Sequence, residues 1–154
     1  VHTVNVKGRI MSFTVLGPIA EVGAKLPLCS FQVPAGFPSP AADYIEQALD
    51  LNELCISRPA ATFFVRVSGD SMVDAGIYPH DVLVVDRSLT PQQGDVVIAC
   101  LNAELTVKEL QLTPCVRLLP RNPRYVPIEL APDQELQIFG VVTTVVRQCR
   151  RRHS

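Results

Sequence analysis

Short apolar stretches alternate with polar turns from residue 62 onward. The turns carry proline, glycine or asparagine, residues that end strands and reverse the chain. The apolar stretches have the length and the valine-rich content of β-strands, so the pattern predicts a mainly β fold with a hairpin at 95–101 and 104–112. The predicted strands are 62–68, 82–87, 95–101, 104–112, 115–119 and 137–147.

One stretch shows helical spacing instead. Tyr44, Ala48 and Leu51 fall on one face of a helix from Asp43 to Leu54, and Asp43 is suited to cap its N-terminus. We therefore expect one short helix ahead of the strands.

The 154 residues fit one folded domain with further segments at its N-terminus. Residues 1–10 differ from the rest of the chain and contain no methionine, so we expect an added leader or an upstream extension there. Residues 11–40 are expected to form an irregular N-terminal arm, which could pair as a strand at Phe13–Leu16 or Leu28–Val33. Residues 41–154 are expected to form the β-rich domain.

The charge balance argues against several classes of function. A formal net charge of −1 and a pI near 6.3 provide no basic face for nucleic acid. The basic residues at the C-terminus, Arg147 and Arg150–Arg152, are interpreted as a solvated tail. No apolar run approaches the roughly 18 residues that a membrane-spanning helix requires, so no membrane association is expected.

The five cysteines, at positions 29, 55, 100, 115 and 149, show no metal-binding spacing. An odd number of cysteines scattered through apolar segments indicates buried free thiols in a reducing compartment, and hence a cytoplasmic protein. No cofactor or metal is expected, because the aspartates at turns and strand ends are suited to cap backbone amides. These aspartates are Asp70, Asp74, Asp81, Asp86 and Asp95.

A candidate nucleophile lies beyond the first predicted strand. The apolar run Phe63–Val67 leads into Ser68-Gly-Asp-Ser-Met72, where a tight turn would expose the hydroxyl of Ser71 and leave backbone N–H groups pointing outward. A serine is a poor nucleophile unless a neighbouring base takes its proton. Ser71 therefore requires a base from elsewhere in the chain.

The three histidines are poorly placed for this role. His2 and His153 lie near the termini and His80 lies in a predicted turn, so a Ser-His-Asp triad has little support. Lys108 is the better candidate, because Ser-Lys pairs are a convergent variant of the same chemistry.

The strand that carries Lys108 predicts burial of its amine. Thr106, Lys108, Leu110 and Leu112 share one face of an extended segment. Burial disfavours the ammonium form, and the pKa must fall by about 3.4 from about 10.4 for the amine to be half neutral near pH 7. An isolated lysine is far more often a surface side chain, and a lone Gly-x-Ser is usually a simple turn.

Several motifs, taken together, resemble the LexA/UmuD family of self-cleaving serine peptidases. The match covers about residues 34–147, and the segment Gly36–Tyr44 is similar to UmuD and its plasmid-borne relatives. The resemblance implies a peptidase domain of packed antiparallel sheets with one short helix and an extended N-terminal arm. The motifs are Ser-Gly-Asp-Ser-Met (68–72), Asp-Val-Leu-Val-Val-Asp (81–86), Gly-Asp-Val-Val-Ile-Ala (94–99), Leu-Thr-Val-Lys-Glu-Leu (105–110) and Phe-Gly-Val-Val (139–142).

The resemblance also implies roles for individual residues. Ser71 would be the nucleophile and Lys108 the general base, with the backbone N–H groups of Ser71 and Met72 forming the oxyanion hole. The family cuts itself at an Ala-Gly or Cys-Gly bond, and Ala35-Gly36 falls on that position. By composition alone this proline-rich stretch is typical of a linker, although Val33 and Phe37 precede prolines and are biased toward extended backbone.

The cellular role implied by the resemblance is SOS mutagenesis. A RecA filament on single-stranded DNA would stimulate self-cleavage, and the trimmed homodimer would join a UmuC-like Y-family polymerase subunit for translesion synthesis. One alternative is a non-catalytic dimeric regulator of a polymerase or repressor with the same fold. Another is a signal-peptidase-like enzyme that cleaves other proteins with the same Ser-Lys pair.

Overall fold

The computed structural model describes residues 2–6, 9–13, 25–29, 35–36 and 45–150. Strands account for most of the regular structure in these residues, which confirms the mainly β fold predicted from the sequence. The strands are β1 (His2–Val6), β2 (Arg9–Phe13), β3 (Lys25–Cys29), β4 (Ile45–Asp50), β5 (Thr62–Arg66), β6 (Val82–Asp86), β7 (Val96–Leu101), β8 (Glu104–Gln111), β9 (Arg117–Leu119), β10 (Ile128–Glu129) and β11 (Gln137–Val146), and helix α1 spans Leu51–Cys55.

Two compact units make up the described chain. One unit holds the β1–β2 hairpin and a seven-stranded antiparallel sheet in the order β10-β9-β8-β7-β11-β6-β5. The other unit, within residues 19–57, holds the pair β3–β4 and helix α1. The assignment of residues 1–10 to a leader and the boundaries of the arm stay predictions.

The large sheet has an apolar core on each of its faces. Along β7, Val97 and Ala99 pack in one buried cluster while Ile98 and Cys100 pack in another. Because successive side chains of a strand point to opposite faces, the two clusters lie on opposite sides of the sheet. This double burial explains why β7 is apolar at every position from Val96 to Leu101.

The hairpin predicted at 95–101 and 104–112 is confirmed as β7 and β8. Asn102 and Ala103 form its two-residue turn with φ values of 50° and 65°. Positive φ at both positions is the feature of turns whose twist matches that of antiparallel strands. The resulting register sets Lys108 opposite Val97, in the middle of the sheet.

The helix predicted from Asp43 to Leu54 is wrong over most of its length. Ile45–Asp50 form strand β4, which pairs with β3, and the helix begins only at Leu51. Its N-terminal cap is Asp50, which accepts a hydrogen bond from the Asn52 amide at 2.8 Å. A ladder of backbone hydrogen bonds to a distant segment outweighed the local helical spacing. The expected cap, Asp43, lies outside the described residues.

The cysteines follow the prediction only in part. Cys55, Cys100, Cys115 and Cys149 are free thiols, as expected, but only Cys100 is buried. Cys115 lies in the turn between β8 and β9 and Cys149 lies beyond the end of β11, so neither side chain reaches the core. The expectation that all the thiols are buried is therefore wrong.

Strand β10 is a further difference, because no strand was expected between residues 119 and 137. Its two residues, Ile128 and Glu129, pair with β9 at the end of the sheet. Within the described ranges no helix is long and apolar enough to cross a membrane.

Candidate active site

A tight turn presents Ser71 beyond the end of β5. Gly69 has a φ of 85°, in the left-handed region that a side chain would disfavour, and it lets the chain reverse there. Met72 is buried in the core beneath the turn, with 2 % of its surface exposed, and a 3₁₀ turn over Val73–Ala75 comes next. Gly69 thus allows the chain to reverse, and the buried side chain of Met72 anchors the turn so that Ser71 lies at the surface of the core.

The amine of Lys108 reaches this turn from β8. Lys108 is 8 % exposed and Leu110 is 1 % exposed, which agrees with the buried strand face predicted from the sequence. Leu112, predicted on the same face, lies just beyond the end of β8 and is 40 % exposed. Lys108 Nζ lies 3.0 Å from Ser71 Oγ. The structure therefore brings the two residues singled out by the sequence into hydrogen-bonding contact.

Two further oxygens surround the amine. Lys108 Nζ lies 2.8 Å from Thr106 Oγ1 and 3.0 Å from the carbonyl oxygen of Val107. No carboxylate forms an ion pair with Lys108 in the part of the chain that the structure describes. Burial without a counter-charge lowers the pKa of Lys108 from the ordinary value of a lysine.

The backbone around Ser71 is suited to receive an oxyanion. The amides of Ser71 and Met72 donate to no acceptor among the described residues. Their carbonyl groups, by contrast, are engaged: that of Ser71 accepts from the Arg121 amide and that of Met72 accepts from the amides of Ala75 and Ile77. The two N–H groups named from the sequence are therefore available to a ligand.

An apolar pocket of about 310 Å³ opens beside Ser71. Thr106 and Val107 contribute to its wall next to the lysine, core side chains form much of the rest, and exposed residues such as Arg66 and Ser68 complete it. Its predominantly apolar lining with a few polar groups is typical of a ligand-binding pocket. The core side chains are Phe63, Val67, Met72, Ile98 and Phe139.

Ala35 and Gly36, the predicted cleavage site, lie in the smaller unit. Both residues are exposed and form a bend, whereas extended backbone was expected for this segment. Proline restricts only the residue that precedes it, and neither Ala35 nor Gly36 directly precedes a proline. The biased residues Val33 and Phe37 lie outside the described residues.

The alternatives for catalysis gain no support from the geometry. His80 is exposed, and in the described chain no hydrogen bond joins its side chain to Ser71 or Lys108. The side chains of His2 and His153 lie outside the described residues.

The aspartates behave largely as predicted from the sequence. Asp81, Asp86 and Asp95 accept hydrogen bonds from backbone amides two or three residues away. In the ranges described, no three His, Cys, Asp or Glu side chains come together as a metal site.

A group of residues that contacts the Ser71 turn was not foreseen from any sequence pattern. Arg121, Asn122 and Tyr125 lie between β9 and β10, and each hydrogen-bonds to residue 70 or 71. Pro120 and Pro123 lie in this segment, where the chain forms bends and a turn over residues 121–125. The polar residues inside that turn could have suggested a contact, but their partner could not be inferred.

Comparisons with known proteins agree with the geometry. A family model described as peptidase S24-like matches residues 27–143. Protein SamA of Salmonella typhimurium is 56 % identical over 129 residues, covering 84 % of this chain and 90 % of the relative. Protein ImpA of Escherichia coli is 50 % identical over 130 residues, covering 80 % and 85 %.

A more distant relative is the LexA repressor of Stenotrophomonas maltophilia, 36 % identical over 148 residues, covering 92 % of this chain and 69 % of the repressor. The family model spans most of the chain, from β3 to β11, including the Ser71 turn and the Lys108 strand. The chain therefore belongs to the peptidase S24-like family, the serine peptidases of the LexA/UmuD type, and is similar to its UmuD-like members.

Proposed function

We propose that this chain is a self-cleaving serine peptidase that cuts its own N-terminal arm between Ala35 and Gly36. Ser71 is the nucleophile and Lys108 is the general base. The observation that carries the proposal is the 3.0 Å separation of Lys108 Nζ and Ser71 Oγ, at a buried amine without a carboxylate partner among the described residues.

The hydrogen-bonding capacity of a neutral amine fits its three neighbours. Such an amine has two N–H donors and one lone pair. The Val107 carbonyl can only accept, and the Thr106 hydroxyl can accept the second N–H, so the lone pair is left for the Ser71 hydroxyl. In this arrangement Lys108 takes the proton of Ser71 as its oxygen attacks.

The attack converts the Ala35 carbonyl into a tetrahedral oxyanion bonded to Ser71 Oγ. The amides of Ser71 and Met72 stabilise this charge, and one such donor is worth roughly 10²–10³ in rate. When the bond to Gly36 breaks, the Lys108 ammonium returns the proton to the departing amine. Water then attacks the ester, with Lys108 again as base, and releases Ser71 and the Ala35 carboxylate.

The cellular role follows from the UmuD-like relatives, which support a function of the SOS-mutagenesis type. In this proposal a RecA filament on single-stranded DNA stimulates the cleavage. The trimmed chain, a homodimer, then joins a UmuC-like Y-family polymerase subunit in translesion synthesis in the cytoplasm.

The test is the intact mass of the purified chain after incubation at alkaline pH or with RecA on single-stranded DNA. We expect a product that begins at Gly36 and ends at Ser154, and none from Ser71→Ala. Gly36→Glu should also block cleavage by crowding the bond. A Cβ added at Gly36 meets no heavy atom within 4 Å in the uncleaved chain, and the position is exposed, so that variant should fold normally.

A cut at another bond would contradict the assignment of Ala35-Gly36. Equal cleavage of wild type and Ser71→Ala would contradict Ser71 as the nucleophile. A wild-type chain that stays intact under both conditions would favour the non-catalytic dimeric regulator instead.

A further inference from the structure

We propose that residues 121–125, between β9 and β10, form a clamp that positions the Ser71 turn against β8. The clamp consists of Arg121, Asn122 and Tyr125. This inference rests on the Ser71–Lys108 chemistry proposed above and adds positioning residues to it.

The first connection runs through the backbone of Arg121. Its N–H donates to the Ser71 carbonyl at 2.8 Å, and its own carbonyl accepts from the Asp74 amide at 2.8 Å. The clamp therefore brackets the turn on both sides of Met72. These two bonds hold the backbone of Ser71 and Asp74 at a fixed distance from the backbone of Arg121.

The second connection holds the residue before Ser71. Asn122 Nδ2 donates to the carbonyl oxygen of Asp70 at 2.9 Å, and the Tyr125 hydroxyl donates to the Asp70 carboxylate at 2.5 Å. Both the backbone and the side chain of Asp70 are thus held by the clamp. Rotation of the turn about Ser71 is restricted as a result.

The third connection reaches the strand that carries the base. Arg121 Nε donates to Glu109 Oε2 at 2.5 Å, and Glu109 directly follows Lys108 on β8. The Glu109 side chain is only 15 % exposed, so this pair is better shielded from solvent than a fully exposed surface pair. One residue, Arg121, is therefore bonded to the nucleophile's turn and to the base's strand.

The arrangement matters because the turn has little other attachment to β8. In the described chain, the bond between Lys108 Nζ and Ser71 Oγ is the one hydrogen bond that directly joins residues 68–72 to β8. That bond must break and reform during the reaction. A separate clamp can keep the two atoms aligned meanwhile, and a displacement of about 1 Å can cost about 10²-fold in rate.

Two rates test the proposal on the full-length chain. One is the first-order rate of self-cleavage at alkaline pH, and the other is the rate at which diisopropyl fluorophosphate labels Ser71, which does not require the arm. For Arg121→Met and Asn122→Ala we expect both rates to fall together by about 10–100-fold. The pH at which the cleavage rate is half-maximal should stay unchanged, because the environment of Lys108 is retained.

Matched variants separate positioning from folding. Arg117→Met removes an arginine–glutamate pair between β9 and β10, where Arg117 Nη2 lies 2.8 Å from Glu129 Oε1, and should leave both rates unchanged. Arg121→Lys keeps a cation for Glu109 and should recover part of the loss. If Arg121→Met or Asn122→Ala is unfolded at the assay temperature, Tyr125→Phe removes a single hydroxyl and should still lower both rates.

The outcomes distinguish this inference from the proposed function. If wild type is cleaved and labelled, and the folded clamp variants match Arg117→Met, the clamp is wrong and the proposed function stands. The clamp is equally wrong if cleavage falls while labelling does not, because these residues would then act on the arm. If wild type is neither cleaved nor labelled at Ser71, both proposals are wrong.

Discussion

An ammonium group loses its hydration when it enters a protein interior, and the loss is offset only by an opposite charge or by good hydrogen bonds. Lys108 has three oxygen neighbours and, within the described chain, no carboxylate partner. The ammonium form is therefore less favourable than in an exposed lysine, and the pKa of Lys108 lies below its ordinary value. A side chain usually associated with positive charge is thereby suited to act as a base.

The pH dependence of self-cleavage should report this amine. A base acts only when it is deprotonated, so the rate should rise with pH and level off above the lowered pKa of Lys108. Lys108→Ala should lose about 10²–10⁴-fold, the usual contribution of general-base catalysis. The measurement is a pH–rate profile of wild type and variant, with cleavage followed by intact mass.

Lys108→Arg serves as the matched control, because it keeps the positive charge on a group that does not deprotonate in this pH range. It should be as inactive as Lys108→Ala. A flat wild-type profile, or a variant as fast as wild type, would remove lysine from the mechanism and return His80 to consideration.

At the scale of elements, the strands of the large sheet were predictable because each carries its own pattern. β5 to β9 and β11 all fall inside predicted segments, and the hairpin of β7 and β8 was predicted where it lies. The position of Lys108 on a buried face followed from the same two-residue alternation. The local sequence was therefore sufficient to predict strands and buried faces that follow from the alternation of side chains along a strand.

The remaining features depend on partners that are distant in the chain. β4 is a strand because it pairs with β3, although Tyr44, Ala48 and Leu51 have helical spacing. The bond between Asn122 and Asp70 joins positions 52 residues apart, and nothing near either residue identifies the other. Contacts of this kind follow from the folded topology, which single-sequence patterns do not contain.

One glycine marks a close approach between two central strands. Gly140 lies in β11 where the pairing with β7 shifts register. A Cβ at this position would lie 2.6 Å from Val85 Cγ1 and 3.0 Å from the Asp86 carbonyl oxygen. Since one of these atoms belongs to the backbone of β6, the strands would have to move apart to accept a side chain.

We therefore expect Gly140→Ala to lower the free energy of unfolding by about 1–3 kcal/mol, the usual cost of overpacking. Urea denaturation should show a lower midpoint with an unchanged slope. Gly36→Ala is the control, because its added methyl group meets nothing within 4 Å. Both changes are best made in Ser71→Ala, so that the chain stays intact, and equal midpoints would contradict the prediction.

At the scale of the larger unit, an ion pair between a partly exposed arginine and a buried aspartate joins the end of β11 to the turn before β6. Arg147 was expected to belong to a solvated tail, and that interpretation is wrong for this residue. Arg147 Nε donates to Asp81 Oδ1 at 2.6 Å and its Nη2 donates to Asp81 Oδ2. The guanidinium also lies 4.4 Å from the centre of the Tyr78 ring. Asp81 is 2 % exposed, so its carboxylate depends on this partner.

Arg147→Met should lower the free energy of unfolding at pH 7, because it leaves the buried Asp81 carboxylate without its charge partner. The hydrogen bond from Arg147 holds the pKa of Asp81 below its ordinary value. The stability from this pair is therefore present above the unfolded pKa and is lost as pH falls through the lower, folded pKa. The difference between variant and wild type, measured by denaturation, should narrow as the pH is lowered from neutral toward that folded pKa.

Arg117→Met is again the comparison, because its pair with Glu129 is largely exposed, with 35 % and 69 % of the side chains accessible. Exposed pairs contribute about 0–1 kcal/mol, so that variant should lose little stability. A loss for Arg147→Met no greater than for Arg117→Met would show that the Asp81 pair does not stabilise the unit.

Because burial lowers the pKa of Lys108, folding can also release a proton from this side chain to the solvent. Between its lowered pKa and the ordinary value near 10.5, the folded chain holds the amine neutral and the unfolded chain holds it protonated. The unfolded chain thus binds more protons in this interval, and the folded state gains stability as pH rises through it. Alkaline pH, which would activate the base, is therefore also the condition in which burying Lys108 lowers the free energy of unfolding least.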